Sequence, residues 1–183
     1  MENKILKWEI VGTIFIIILG TLFHFLFEWL FSWPPVGAIA AVNESVWEHL
    51  KLPFWPLIIF SLIEYKFIKE EANNFIIGKS LTAVISISTI LIVFYSYTAI
   101  LGKEILIIDI LSFFIGVIFG QFVSYKIITL SELPRTISII SWVIIFGIGI
   151  LQILFTYLPP HLPIFQDSES GLYGILHYFR KTI

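Results

Sequence analysis

Five apolar segments, each about 20 residues long or longer, constrain the fold of this chain more than any other feature. They cover 8–31, 46–67, 75–101, 105–130 and 136–158. A helix of about 20 apolar residues crosses the hydrocarbon core of a bilayer, and a helix satisfies its own backbone hydrogen bonds there. The sequence therefore predicts an all-α integral membrane protein, a compact bundle of about five transmembrane helices.

Composition supports a membrane protein and excludes several other classes. Of the 183 residues, 58% are hydrophobic and 13% are charged, which lies far outside the range of soluble proteins. The net charge of -2 and the lack of a dense basic cluster argue against a nucleic-acid partner, so the expected partner is membrane lipid. The sequence contains no cysteine, which excludes disulfides, thiolate metal sites and cysteine nucleophiles.

The chain is predicted to form one domain over 1–183 with a short external C-terminal segment. The first apolar segment exceeds the core of a signal peptide and contains His24 and Glu28, so we expect an uncleaved helix. Residues 159–183 are interrupted by three prolines and by acidic residues, which disfavours a sixth crossing. This tail is expected at the membrane interface, where four apolar side chains would face lipid: Leu172, Ile175, Leu176 and Phe179.

The distribution of Lys and Arg predicts the orientation. Seven of the 11 basic residues fall on the side of the amino terminus: Lys4, Lys7, Lys66, Lys69, Lys79, Lys126 and Arg135. The other four fall on the opposite side: Lys51, Lys103, Arg180 and Lys181. Cytoplasmic loops carry the excess of positive charge, so we expect a multi-pass protein of the cell membrane with a cytoplasmic amino terminus and an external carboxyl terminus.

With this orientation, polar residues of separate spans converge at the external side. They lie in the outer half of span one, at the start of spans two and four, and after span five: His24, Glu28, Asn43, Glu44, Glu48, His49, Lys51, Asp109, Gln152 and His161. Charged side chains within spans are costly and face a bundle interior or a wet cavity. We therefore expect a pocket that opens outward.

The residue types in this group are those of a metal-assisted or acid–base site. Imidazoles and carboxylates bind Zn²⁺ or another divalent ion and leave a position for an activated water. The candidate metal ligands are His24, Glu28, His49, His161 and Asp167. The candidate catalytic residues are Glu28, Glu48 and His49. The sequence has no HExxH motif, phosphate-binding loop or nucleophile elbow.

Structural roles compete with these functional ones. Ser45 and Glu48 fit a capping box at a helix start. Glu44 and Lys51 fit an exposed ion-pair stripe, and a buried His–Glu or Glu–Lys51 pair that fixes helix packing would explain His24 and Glu28. At the cytoplasmic ends, the charged residues are expected to snorkel or face water: Glu64, Lys66, Lys69, Glu70 and Glu71.

Span four carries small residues at four-residue spacing. Ser112, Gly116, Gly120 and Ser124 lie on one helical face. Such a face allows a second helix to approach closely, so we interpret it as a packing surface. In span three, Ser86, Ser88 and Thr89 are expected to bond their own helical carbonyls.

Three blocks of the sequence resemble one family. "HFLFEW", "VNESVWEHLKLPFWP" and "PPHLPIFQD" are similar to an uncharacterised family of small bacterial multi-pass membrane proteins, a domain of unknown function, over essentially the whole chain. The resemblance implies a bacterial cytoplasmic-membrane location. It supplies no activity, so no catalytic role is carried over from the family. The chain is more distantly similar to the membrane hydrolases related to alkaline ceramidases, but those have seven helices and a His-x-x-x-His pair that this sequence lacks.

Two classes of function remain open. One is a metal-dependent hydrolase or transferase that acts on a lipid or an envelope-derived small molecule, with a divalent metal such as zinc as its cofactor. The other is a non-enzymatic small transporter subunit or an accessory or scaffold protein whose polar cluster is structural or binds a ligand. A transporter is expected to carry polar groups through the midplane, and the cytoplasmic halves of the spans look poor in them. A site on one side of the membrane is therefore favoured.

Overall fold

The computed structural model describes residues 2–175, and these form an all-α bundle. The helices are α1 (Glu2–Trp29), α2 (Val46–His49), α3 (Lys51–Ile68), α4 (Phe75–Leu101), α5 (Leu106–Ile128) and α6 (Arg135–Tyr157). Short 3-10 turns cover Pro34–Ala38 and Pro163–Phe165. Because α2 and α3 together make one span, Val46–Ile68, five stretches are long and apolar enough to cross a membrane. The predicted fold class is confirmed.

The connections between spans gather at two opposite ends of the bundle. At the end that we call lower, Lys4 Nζ lies 2.7 Å from Glu71 Oε1, and the Asn73 side chain donates to the carbonyl of Leu130 at 2.8 Å. At the upper end, the backbone N–H of Glu44 donates to Asp167 Oδ1 at 2.9 Å. The upper end therefore holds the predicted site region: residues 30–45, 102–105 and 158–175.

Two prolines shape the second span. Pro53 has no N–H for the carbonyl of His49, and α2 and α3 meet at Leu50, whose backbone stays in the right-handed helical region. Pro56 likewise leaves the carbonyl of Leu52 without a helical donor. That carbonyl faces α1 at Gly20, where an added Cβ would lie only 2.5 Å from the oxygen. Gly20 thus permits the close approach of α1 and α3.

The small-residue face of α5 packs against α4, as predicted. A Cβ on Gly116 or Gly120 would lie 3.0 Å from a backbone oxygen of α4. The hydroxyl of Ser86 donates to the carbonyl of Gly116, and that of Thr82 to the carbonyl of Gly120, each at 3.0 Å. The Ser86 hydroxyl was expected to bond its own helix, but it donates to the neighbouring one. The two backbones are close enough for this hydroxyl to reach across.

The lower half of the bundle differs from the sequence-based expectation. Glu64, expected to snorkel, is fully buried beside Lys79, which is buried as well. Glu9 joins them from α1. The reason is that α1, α3 and α4 meet at this level, so opposite charges from different helices pair inside the bundle. The lower halves of the spans are therefore not poor in buried polar groups.

The described part of the C-terminal segment folds back onto the upper end. The backbone N–H of Ile175 donates to the carbonyl of Thr156 at 3.0 Å, and its side chain is buried in a cluster with Phe27 and Val42. Ile175 thus faces protein instead of lipid, because the loop 34–42 offers it an apolar surface. Leu172 is half-buried. The expectation for Leu176 and Phe179 lies outside the described residues.

Candidate functional site

The block "VNESVWEHLK" begins with half of the expected capping box. Ser45 Oγ accepts from the backbone N–H of Glu48 at 3.4 Å, as an N-cap does. The reciprocal bond is supplied by Asn43, whose Oδ1 accepts from the backbone N–H of Ser45 at 2.9 Å. The carboxylate of Glu48 is consequently available for other contacts and turns into the bundle.

Glu48 and Lys51 form a buried, fully bonded ion pair. Lys51 Nζ donates to Glu48 Oε2 at 2.6 Å, to the carbonyl of Gly37 at 2.7 Å and to that of Ala40 at 3.1 Å. Glu48 also accepts from the N–H of Val42 and from the Thr156 hydroxyl. All three ammonium protons are used, and one carboxylate balances one ammonium. Lys51 therefore pairs with Glu48 and not with Glu28, the partner considered above, and this pair ties the loop 37–42 to α2, α3 and α6.

Three other side chains converge at the upper end from separate segments. His24 comes from α1, Glu44 from the loop before α2, and His49 from α2. His24 Nε2 lies 3.6 Å from Glu44 Oε1, and His49 Nε2 lies 3.3 Å from Glu44 Oε2. One ligand atom from each residue lies within 4.8 Å of the others, and all three residues are half-buried. We call these residues the His–Glu–His cluster.

Contacts from the C-terminal segment position Glu44. Asp167 Oδ1 accepts from the backbone N–H of Glu44, and the Ser168 hydroxyl donates to its carbonyl at 3.3 Å. Asp167 also accepts from the backbone N–H and the hydroxyl of Ser170. Asp167, a predicted metal ligand, is thus placed where it orders the loop that carries Glu44.

The charge of Glu44 is stabilised by its neighbours. A hydrogen bond with His49 lowers the pKa of the Glu44 carboxyl below its ordinary value of 4.5, and this outweighs partial burial, which acts in the opposite direction. His24 adds a smaller favourable interaction and Asp167 an unfavourable one. Glu44 is therefore an anion at neutral pH, as a metal ligand must be.

The remaining candidates lie outside the cluster. Glu28 is exposed on α1, one turn from His24, with which it interacts electrostatically. Asp109 accepts from the Tyr97 hydroxyl at 2.8 Å and interacts electrostatically with His49. His161 lies apart from the cluster, and its ring packs 4.7 Å from that of Tyr173. The predicted ligands His24 and His49 are brought together, whereas the third member, Glu44, had been interpreted as an exposed ion-pair residue.

An open groove of about 350 Å³ adjoins the cluster. Three carboxylates, those of Glu44, Glu104 and Asp167, line it together with Tyr95 and Phe94. Glu44 belongs to both the groove and the cluster. The sequence did not single out Glu104 or Tyr95, because neither lies near the "NESVWEHLK" block along the chain. Only the packing of 163–171 over the ends of α2 and α4 makes this groove.

The cluster fits a small divalent metal. Zinc binds imidazole nitrogen and carboxylate oxygen at about 2.0–2.2 Å, which places tetrahedral ligands roughly 3.3–3.6 Å apart. His24 Nε2 and His49 Nε2 lie 3.6 and 3.3 Å from different oxygens of Glu44, and one ligand atom from each residue lies within 4.8 Å of the others, so small side-chain adjustments would bring the set to that edge. Two imidazoles and one carboxylate are also a common ligand set of catalytic zinc, with a fourth position left for water.

Comparison with known proteins gives a family and no activity. No curated protein and no solved structure matches the chain. A family model described as "Family of unknown function (DUF6512)" matches residues 1–175. That range includes every residue of the His–Glu–His cluster and of the groove. The chain therefore belongs to this family of unknown function, DUF6512.

Proposed function

We propose that this protein binds a divalent metal, preferentially zinc, at His24, Glu44 and His49, and uses it as a hydrolase or transferase on a lipid or envelope-derived molecule. The observation that carries the proposal is the convergence of two imidazoles and one carboxylate from three separate segments at the spacing of metal ligands. A metal held there would acidify a bound water for attack on the substrate.

The residues of the chain itself would share the remaining tasks. Asp167 holds the Glu44 loop in place through a backbone hydrogen bond. Glu28, exposed and one turn from His24, is the general base in this proposal. The apolar outer surface of the helices keeps the site at the level of lipid headgroups, so a membrane lipid reaches it by lateral diffusion.

The lining of the groove restricts the class of substrate. Glu44, Glu104 and Asp167 place three carboxylates around about 350 Å³. These charges repel a free phosphate and attract groups that donate hydrogen bonds or carry positive charge. A headgroup with hydroxyl, amide or amine groups therefore fits better than an anionic one.

Metal analysis of the detergent-purified protein tests the proposal. Wild-type protein loaded with zinc and then dialysed should retain about one ion per chain, whereas Glu44→Gln and His49→Gln should lose it. His161→Gln is the matched control, since it removes an imidazole at the same end of the bundle but outside the cluster. Zinc retained by all variants, or by none including wild type, would contradict the proposal.

An activity assay then separates enzyme from binding protein. Glu28→Gln should keep its zinc and lose turnover of hydroxyl- or amine-bearing lipids by roughly 100-fold or more, as expected for loss of a general base. If wild-type protein has a normal metal content but turns over none of these lipids, the proposed metal site stands and the proposed enzymatic activity is rejected.

The alternative is a non-enzymatic small transporter subunit or an accessory or scaffold protein, and one observation supports it. Glu9, Glu64 and Lys79 are buried in the half of the bundle away from the His–Glu–His cluster. Polar groups in both halves are expected of a transporter. Zinc flux into liposomes that contain the purified protein, compared with empty liposomes, tests this alternative.

A further inference from the structure

Two buried ionic groups in this bundle differ in their charge balance. At the upper end, one carboxylate, Glu48, faces one ammonium, Lys51. In the lower half, the single ammonium of Lys79 faces two carboxylates: its Nζ lies 2.9 Å from Glu9 Oε1 and 2.7 Å from Glu64 Oε2. We call Glu9, Glu64 and Lys79 the lower triad. Each of its side chains is almost completely buried.

A fully ionised lower triad would bury one uncompensated negative charge inside the membrane. The charged groups that act on Glu64 are Lys79 and Glu9, so within the described residues no second cation balances the pair of carboxylates. From α5, the Ser124 hydroxyl donates to Glu9 Oε1 at 2.7 Å, but a hydroxyl is neutral. An unpaired buried charge costs several kcal/mol. The triad therefore requires one further positive charge.

Three buried oxygen atoms without a hydrogen bond are candidates to hold that charge. Glu9 Oε2, Glu64 Oε1 and Gln121 Oε1 are buried, and none has a hydrogen-bond partner among residues 2–175. The side-chain amide of Gln121 donates to the backbone carbonyl of Glu9 at 3.4 Å, so Gln121 lies beside Glu9. Buried acceptors without a donor are rare in native proteins, so these three need an explanation.

A groove reaches this region from the outside of the bundle. It measures about 260 Å³, lies between α1 and α5, and has Glu9 and Gln121 among its lining residues. The rest of the lining is mostly apolar, with Ile10 and Phe122 at its rim. The groove thus brings Glu9 and Gln121 close to the outer surface of the bundle, away from the upper site.

We propose that the lower triad, with Gln121, is a binding site for one monovalent cation, a proton or an alkali ion, that neutralises the second carboxylate. A proton would sit on Glu9 Oε2 or Glu64 Oε1 and donate to a neighbouring acceptor. An alkali ion would take the same oxygens as ligands. This site is separate from the proposed metal site and carries a different class of ion.

Infrared spectroscopy of wild-type protein at pH 7, with and without alkali ions, tests the proposal directly. If a proton is bound, the carbonyl band of a protonated carboxyl group should be present at pH 7 and should be lost or displaced in Glu9→Gln and Glu64→Gln. If an alkali ion is bound, exchanging sodium and potassium for choline should lower the unfolding temperature or produce that band. The proposal is overturned if wild-type protein shows neither the band nor a dependence on alkali ions. It is also overturned if both variants retain the band unchanged.

Variant stability gives a second, independent measurement. Glu64→Gln should leave the unfolding temperature unchanged or raise it, because it converts the triad to a balanced pair. Glu48→Gln should lower it by about 10 °C, because it leaves Lys51 as an unpaired buried cation. A fall in Glu64→Gln as large as that in Glu48→Gln would contradict the excess of negative charge on which the site depends.

Discussion

At the scale of single residues, burial determines which charges matter for stability. Lys51 and Glu48 are sequestered from solvent, whereas Lys4 and Glu71 form a pair of similar length on the surface of the lower end. Water screens the exposed pair, but the buried pair depends entirely on its own hydrogen bonds. The two pairs therefore allow a direct comparison.

Lys51→Met should destabilise the protein by about 3–5 kcal/mol, because it leaves the carboxylate of Glu48 buried without a counter-charge. Thermal unfolding in detergent measures the effect. Lys4→Met is the control and should cost less than about 1 kcal/mol. The double variant Glu48→Gln/Lys51→Met should recover part of the loss. Equal losses for Lys51→Met and Lys4→Met would show that the buried pair does not hold the upper end.

Glu44 gives a pH dependence with a defined sign. The pKa of its carboxyl is lowered in the folded protein, chiefly by the hydrogen bond with His49. Its contribution to stability is therefore complete above its ordinary pKa of 4.5 and is lost as the pH falls below that value. The difference in unfolding temperature between wild type and Glu44→Gln should shrink in acid. A difference that grows between pH 5 and pH 3 would contradict this assignment.

At the scale of helices, backbone proximity depends on particular glycines. Gly20 faces the carbonyl that Pro56 leaves free in α3, whereas Gly147 in α6 has nothing within 4 Å of an added Cβ. Replacing glycine by alanine is therefore expected to be destabilising at Gly20 and to be tolerated at Gly147. In α5, Gly116 and Gly120 follow the pattern of Gly20.

Gly20→Ala should destabilise the protein by about 1–3 kcal/mol, because α1 and α3 must separate to accommodate the methyl group. Gly147→Ala, the matched control, should be neutral or stabilise by up to about 1 kcal/mol through helix propensity. Thermal unfolding of both variants provides the measurement. Similar effects of the two substitutions would indicate that α1 and α3 are not in close contact at this level.

At the scale of the whole molecule, the orientation in the membrane remains a prediction. Lys51 and Lys79, counted on opposite sides of the membrane, are both buried within the bundle and are not loop charges. Removing one residue from each side leaves six against three, so the direction of the charge bias is unchanged. The cytoplasmic amino terminus and the external upper end are still expected.

The absence of cysteine from the sequence makes this orientation easy to test. A membrane-impermeant maleimide added to intact cells should label Glu169→Cys at the upper end and should leave Glu132→Cys at the lower end unlabelled until the membrane is permeabilised. Both positions are exposed, so accessibility to the reagent is matched. The reverse labelling pattern would place the His–Glu–His cluster on the cytoplasmic side.

The sequence determined the five spans, the small-residue face of α5 and the meeting of His24 and His49 at one end, because these follow from helical length and periodicity. It did not determine Glu44 as the third member of the cluster. Glu44 precedes α2 in a loop, and the contacts with Asp167 and Ser168 that place it come from residues more than 120 positions away.

The lower triad shows the same division. From the sequence, Glu64 is expected to snorkel, Lys79 counts among the basic residues on the side of the amino terminus, and Glu9 carries no expectation. Only tertiary packing decided that they meet, because the rotation of each helix about its axis depends on its neighbours. The physical reason is general: local periodicity fixes which residues share a helical face, and the contacts between distant segments fix what that face meets.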